Sequence, residues 1–383
     1  MKQGRARRRM LSLPAALLVG LLAMAAAAHA ARAEVASIFL PADQIARRCP
    51  AILGPAQEQR VMKEIFPQVI RHTPGRDAGA AQLFAPIRAI GKPLALEATR
   101  CLAGEQAACQ RFSDWISRLA SEDALRFDAG PHRLSPASLV TGKLAGNLTL
   151  RPIALHLAAL RERGLAGKDE AVDAWLVRRA GEYRHLPRQL DDKAAQNLVL
   201  HSALTGLAVE MATGGSGQAL QTAARIYRLY LDTMRSDGSL PQETRRGASA
   251  LKYDSMAVGN LLLLALLAQT RGLPLLAYAG PHGDLHQAAG FVAAALEDEA
   301  VIAGYAQENV APTDAVPAHG GQARGFLRDN SGWMAWYGSL YPGRPASPVL
   351  VRERRRALPA ALPAFPYDES LGLAPPCLLA SSP

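Results

Sequence analysis

Leu240-Pro-Gln-Glu-Thr-Arg-Arg-Gly-Ala-Ser-Ala-Leu-Lys-Tyr-Asp-Ser-Met-Ala-Val-Gly-Asn-Leu-Leu262 is the stretch on which the reading of this chain turns. Its second half runs on as a nearly all-apolar segment from Asp254 to Thr270, and a helix apolar on every side belongs at the centre of a fold. Its first half carries the chemistry. Arg246 and Tyr253 are seven residues apart, which on a helix of about 3.6 residues per turn returns them to one face within about 20°. A guanidinium beside a phenol favours phenolate and lowers its pKa from the free value of about 10, which suits the phenol to proton transfer on an anionic substrate. The same two residues also fit an exposed arginine and a half-buried tyrosine at a helix start.

Outward from this stretch the chain reads as helix after helix. Gln57 to Ile70 is amphipathic, and Gly104 to Leu119 carries Ala108, Phe112, Trp115 and Leu119 at helical spacing. Leu139 to Arg163 is long and apolar, with Pro152 expected to kink or divide it. Lys168 to His185, Lys193 to Thr213 capped by Asp191 or Asp192, Gln218 to Met234, Gly283 to Leu296 and Ser331 to Tyr341 follow. Asp237-Gly238 makes a tight turn. Ala311 to Gly325 reads as a loop, and the proline-rich stretch from Pro342 to Pro383 as an extended tail on the same domain. Sustained period-2 alternation of β-branched residues is almost absent, so the class is all-α. Hairpins of such helices around an exceptionally apolar inner set predict an α/α barrel, an incomplete toroid with a cleft at one end.

Lys2, Arg5, Arg7, Arg8 and Arg9 precede an apolar run from Leu11 to Ala28 that ends in small residues, the three-part pattern of a secretory signal peptide. Residues 1–33 are therefore expected to be removed, with 34–341 as the domain and 342–383 as the tail. Cleavage there takes six positive charges (those five and Arg32) and no acidic ones, turning a formal +10 into +4. That modest excess fits a polyanionic partner, while nucleic acid is not expected for an exported protein. Met256 to Gln269, the most apolar later run, falls short of the roughly 20 residues a membrane span needs. Cys49, Cys101, Cys109 and Cys377 allow three pairings in an oxidising compartment. Cys101 and Cys109 lie about 12 Å apart along one continuous helix, too far to bridge unless Gly104 breaks it.

Three pieces in order resemble the alginate lyase family of periplasmic poly(β-D-mannuronate) lyases. They are His201 in a mid-chain helix; Asp237-Gly238-Ser-Leu240-Pro241-Gln-Glu243-Thr-Arg-Arg246 with Ala250-Leu251-Lys-Tyr253 behind it; and Trp333-Met-Ala-Trp336-Tyr337. The resemblance implies an α/α barrel and β-elimination on a uronate polymer, giving 4,5-unsaturated ends with no required cofactor or metal. By it Tyr253 transfers the proton, His201 contacts the substrate carboxylate or serves as base, and Arg246 stabilises charge. Trp333 and Tyr337 line the cleft as stacking rings. The family's asparagine directly before the histidine is here Leu200, and Asn197, at i−4, is the amide on the same face. Asp254 stands where the family usually has a histidine, and the lysine-bearing lid has no clear counterpart between Cys49 and Arg76.

The signal-peptide pattern predicts a periplasmic protein, expected as a monomer, and the resemblance implies an anionic polysaccharide as its partner. Two other readings remain open: a non-catalytic polysaccharide-binding protein of exopolysaccharide assembly, and a toroidal glycoside hydrolase. His282 and His286, at i,i+4, lack a third metal ligand, and Asp284 between them reads as first-turn acidity. Asn147-Leu-Thr149 matches a glycosylation pattern but falls inside an expected helix.

Overall fold

The computed structural model describes residues 37–48, 64, 76–126, 134–186, 196–308, 322–358 and 367–380. The signal-peptide reading, the helix from Gln57 to Ile70, the lid region, the Asp191/Asp192 cap and most of the Ala311–Gly325 loop lie outside them. The compact unit described begins at Ser37. Among the described residues there are eleven helices of eight residues or more and no β-sheet, only isolated bridges.

These helices are α1 (Lys92–Leu102), α2 (Gln106–Ser121), α3 (Pro136–Glu162), α4 (Glu170–Tyr183), α5 (Gln196–Thr213), α6 (Gln218–Thr233), α7 (Ala250–Gln269), α8 (Leu285–Glu297), α9 (Ala300–Gln307), α10 (Gly332–Leu340) and α11 (Ala346–Ala357). Three of them start on a short polar side chain that caps the first turn, Ser135 for α3, Asp169 for α4 and Asp284 for α8. Asp169 accepts from Ala171 N and Val172 N at the head of α4, and Asp284 from His286 N and Gln287 N at the head of α8. Glu210 does the same for α6 from a distance, accepting from Ala219 N and Leu220 N.

The packing is that of helical hairpins in two layers. α1, α3, α5, α7 and α8 pack in series, each on the next but one in sequence until α7 meets α8; α2, α4 and α6 lie against them. The circuit closes through α11 and α10, the short helix Pro375–Leu378, and the short helix Ala42–Arg48, which returns to α1. This is the toroid-like all-α arrangement expected.

α7 is the hub. All but three of its twenty residues are buried, because neighbours cover every side of it. At 20 residues it is longer than its most apolar run, and Gly247–Gln269 is long and apolar enough to cross a membrane; 89% of an 18-residue window within it is buried inside the protein, as in a core helix.

Three expectations are decided by the backbone. Pro152 does not divide α3, which runs unbroken over 27 residues with the ring lodged against Gly372. Gly104, at φ +103°, does end α1, and so Cys101 and Cys109 reach a Cα separation of 4.6 Å and form a disulfide. Buried Glu97 reinforces that hairpin by pairing with Arg100 and Arg111. The stretch after Pro342 is helical in part, since α11 starts there and Leu350 packs into the core. Cys377 is also disulfide-bonded, to a partner outside the described residues.

Candidate functional site

The stretch between α6 and α7 is a strap tied down on both sides. Asp237 accepts from Ser239 N, and Gly238 turns at φ +92° with no room for a Cβ against Gln287 O. Arg235 donates to Ser239 Oγ and Thr244 Oγ1, and Leu240 N donates to Asp254 Oδ1 at 3.2 Å. Tyr230 OH donates to Glu243 Oε1 at 3.0 Å. Much of the motif is therefore scaffold.

The strap delivers Arg246 to Tyr253, by a route that helical spacing did not foresee. Arg246 is not on the tyrosine's helix: its backbone sits at φ −118°, ψ 33°, between the short helix Pro241–Thr244 and a 3-10 turn at Gly247–Ser249. α7 begins only at Ala250. The guanidinium carbon lies 4.0 Å from the Tyr253 ring centroid, and Lys252 Nζ lies 5.3 Å from it. Two cations over one half-buried ring is a cation–π arrangement. Burial pushes the Glu243 carboxyl up to about 7, against the downward pull of the Arg246 charge.

Asp254 is fully buried, and burial holds its carboxyl well above the usual range while Leu240 N bonds it. It fixes the strap through Leu240 N.

His201 lies on α5, which packs against both α7 and the Pro241–Thr244 helix. It is 1% exposed, and its Nδ1 is 2.9 Å from Arg151 Nη1 on α3. The same Nη1 donates to Asn260 Oδ1 on α7 at 3.2 Å. Asn260 Nδ2 donates in turn to Met256 O and to Ser370 Oγ, both at 2.8 Å. Burial and then the Arg151 charge push the His201 pKa well below the usual imidazole value, so the ring is neutral. Burial lowers Arg151 to about 10, with Tyr367 and Asp368 opposing, so it stays protonated near neutral pH. Asn260 follows Tyr253 by seven residues and so shares its face of α7, about 10 Å further along the axis. Three successive inner helices thus meet in one polar seam.

Asn197 is buried one turn before His201, and its Oδ1 accepts from Leu198 N at 3.0 Å. Trp333 and Tyr337 do not join the site. Trp333 is 1% exposed, packs on Gly259 and donates from Nε1 to Ser255 Oγ at 3.3 Å. At 100° per residue, Ser255 and Gly259 lie on the far side of α7 from Tyr253 and Asn260. Tyr337 is wholly buried, with its OH 2.9 Å from His286 Nδ1 and its ring against Trp333 and Tyr341. Neither ring offers a free face to a sugar; Trp333 fastens α10 to α7, and Tyr337 fastens it to α8.

His286 is accordingly committed to Tyr337, and among the described residues no group of three or more His, Cys, Asp and Glu side chains is placed to hold a metal. Asn147 is also structural, its Nδ2 donating to Lys143 O, Tyr183 O and Ser202 Oγ.

Sequence reasoning missed Arg151 and Asn260. The signal was present, since each interrupts an otherwise apolar helix, and an arginine is almost never fully buried without a partner.

Residues 141–302, the span from α3 to α9 that holds the seam and the strap, match the alginate lyase family model. The fold is similar to that of alginate lyase A1-III from Sphingomonas species A1 (TM-score 0.59, 19% identity, 77% of this chain on 76% of that one). A ligand-free His-to-Ala variant of A1-III is matched over 91% of this chain and 96% of the other (TM-score 0.58, 16% identity). An alginate lyase from Bacteroides ovatus is matched over 73% and 72% (TM-score 0.50, 14% identity). No curated protein matches the sequence.

Proposed function

We propose that this chain, whose residues 141–302 match the alginate lyase family model, cleaves a uronate-containing polymer by β-elimination. The observation that carries the reading is the Arg246 guanidinium held 4.0 Å over the half-buried Tyr253 ring, with His201 on the adjoining inner helix.

In this reaction a base takes the proton from C5, next to the carboxylate. Its electrons form the C4–C5 double bond, the glycosidic C4–O bond breaks, and the leaving oxygen gains a proton. Charge building on the carboxylate has to be met by donors already in place. Tyr253 is the proton-transferring group, Arg246 stabilises charge, and His201 with Asn197 faces the carboxylate. The leader-like N-terminus supports a periplasmic site of action, on alginate or another polymer of sugar acids and as a monomer. The near-complete burial of His201 favours a second reading, a polysaccharide-binding protein without chemistry.

The test is ultraviolet absorbance of 4,5-unsaturated uronate with polymannuronate, polyguluronate and polyglucuronate. One polymer is expected to give the signal, and Tyr253→Phe to cut it by about 10²- to 10⁴-fold, the range for a lost acid/base group. Reducing ends without absorbance would indicate a hydrolase. Binding of a polymer without product, unchanged in Tyr253→Phe, would indicate the binding protein.

A further inference from the structure

Arg151 belongs to no motif, yet it stands where the polar seam crosses from α3 to α5 and α7. We infer that Arg151 is a positioning residue that locks His201 into the tautomer with its proton on Nε2, making the imidazole a hydrogen-bond donor and leaving proton abstraction to Tyr253.

A guanidinium has five N–H donors and no acceptor. With Arg151 Nη1 at 2.9 Å, His201 Nδ1 accepts, and a neutral imidazole accepting at Nδ1 carries its hydrogen on Nε2. Asn260 closes the alternative. Its Nδ2 is committed to Met256 O and Ser370 Oγ, so its Oδ1 faces Arg151 and takes the second Nη1 hydrogen at 3.2 Å. The guanidinium is thereby held from two sides.

The arrangement is costly as mere packing. Arg151 is wholly buried, and its Nε and Nη2 have no hydrogen-bond partner among the described residues. A buried cation so sparsely paired is destabilising. Among the described residues the other buried histidine, His156, has its Nδ1 hydrogen-bonded to the Pro152 carbonyl. A cation at Nδ1 polarises the N–H at Nε2 toward negative charge. That is the electrostatic service the residue before the histidine does not provide in this chain, where Leu200 is apolar.

The kinetic half of this inference rests on the lyase reading; the tautomer does not. The mature chain labelled with ¹⁵N-histidine is examined by two-bond proton–nitrogen correlation, with the His201 signals identified by their loss in His201→Asn. Wild type and Arg151→Lys are expected to show a proton on Nε2 and none on Nδ1 from pH 7 to 9, and Arg151→Met to lose that purity. A proton on Nδ1 in wild type, or an unchanged Nε2–H in folded Arg151→Met, overturns the inference. If Arg151→Met does not fold, wild type and Arg151→Lys decide. On a polymer that wild type cleaves, Arg151→Met is expected to lower kcat by about 10²-fold, as for loss of one preorganised donor, with KM little changed; unchanged kcat overturns the catalytic half. If wild type cleaves no polymer, the lyase reading fails while the nitrogen spectra still settle the tautomer.

Discussion

Gly259→Ala sets two effects of opposite sign against each other on the central helix. Alanine in a helix interior is favoured over glycine by about 1 kcal/mol. A Cβ at this position, however, would lie 2.6 Å from Cδ1 and Cγ of Trp333 and 3.0 Å from its Cβ, where carbon contacts are comfortable only near 3.5–4.0 Å. The indole has little room to retreat: its Nε1 is bonded to Ser255, its backbone N lies 3.4 Å from Asp368 Oδ2, and its edge meets Tyr337. Overpacking of this kind costs about 1–3 kcal/mol, and the fixed surroundings place it at the upper end. The net expectation is a loss of about 2 kcal/mol, or several degrees in Tm. Gly290 on α8 is the matched control, because nothing lies within 4 Å of its Cβ position; Gly290→Ala should gain up to about 1 kcal/mol. Urea unfolding followed by circular dichroism reads both. If Gly259→Ala proves as stable as wild type or more so, the account of α7 as tightly backed by Trp333 is wrong.

Glu243, raised by burial to about 7 from 4.5, stays protonated in the folded chain where the unfolded carboxyl has ionised, so its stabilising share is full below pH 4.5 and lost as pH rises through 7. At 1.36 kcal/mol per pKa unit, Glu243→Gln should gain about 3 kcal/mol on wild type between pH 4.5 and 8; urea midpoints showing a constant gap would contradict this. Replacing Cys101 and Cys109 together by alanine opens a loop with a sequence separation of 8 and should cost about 2.5 kcal/mol by the loop-entropy relation. An unmoved unfolding midpoint in that variant would show that the disulfide adds nothing to Gly104 and the Glu97 pairs.

The helical class was legible because an all-apolar run such as Asp254 to Thr270 has one natural place, the middle of other helices. The disulfide was legible conditionally, since Gly104 was the residue on which it depended. Arg246 and Tyr253 do meet, though not by helical periodicity: the strap breaks the helix between them and stacks the cation on the ring face. Trp333 and Tyr337 were misplaced because spacing along one helix says nothing about which side of a neighbour it covers. The tail was misread from its prolines. Pro345 caps α11 and Pro348 lies in its first turn, where the backbone N–H groups have no intrahelical acceptor and proline removes nothing. Arg151 and Asn260 come from positions 109 apart, and no local pattern announces a partnership over that distance.

Asn260 leans on Ser370, the Trp333 backbone on Asp368, Pro152 on Gly372, and Leu40 on the carbonyl of Leu378. Helices made early in translation therefore stay unfinished until a dozen residues near position 370 have left the ribosome. Without that stretch the amide of Asn260, the head of the Trp333 helix and the ring of Pro152 would each lose the group they rest on.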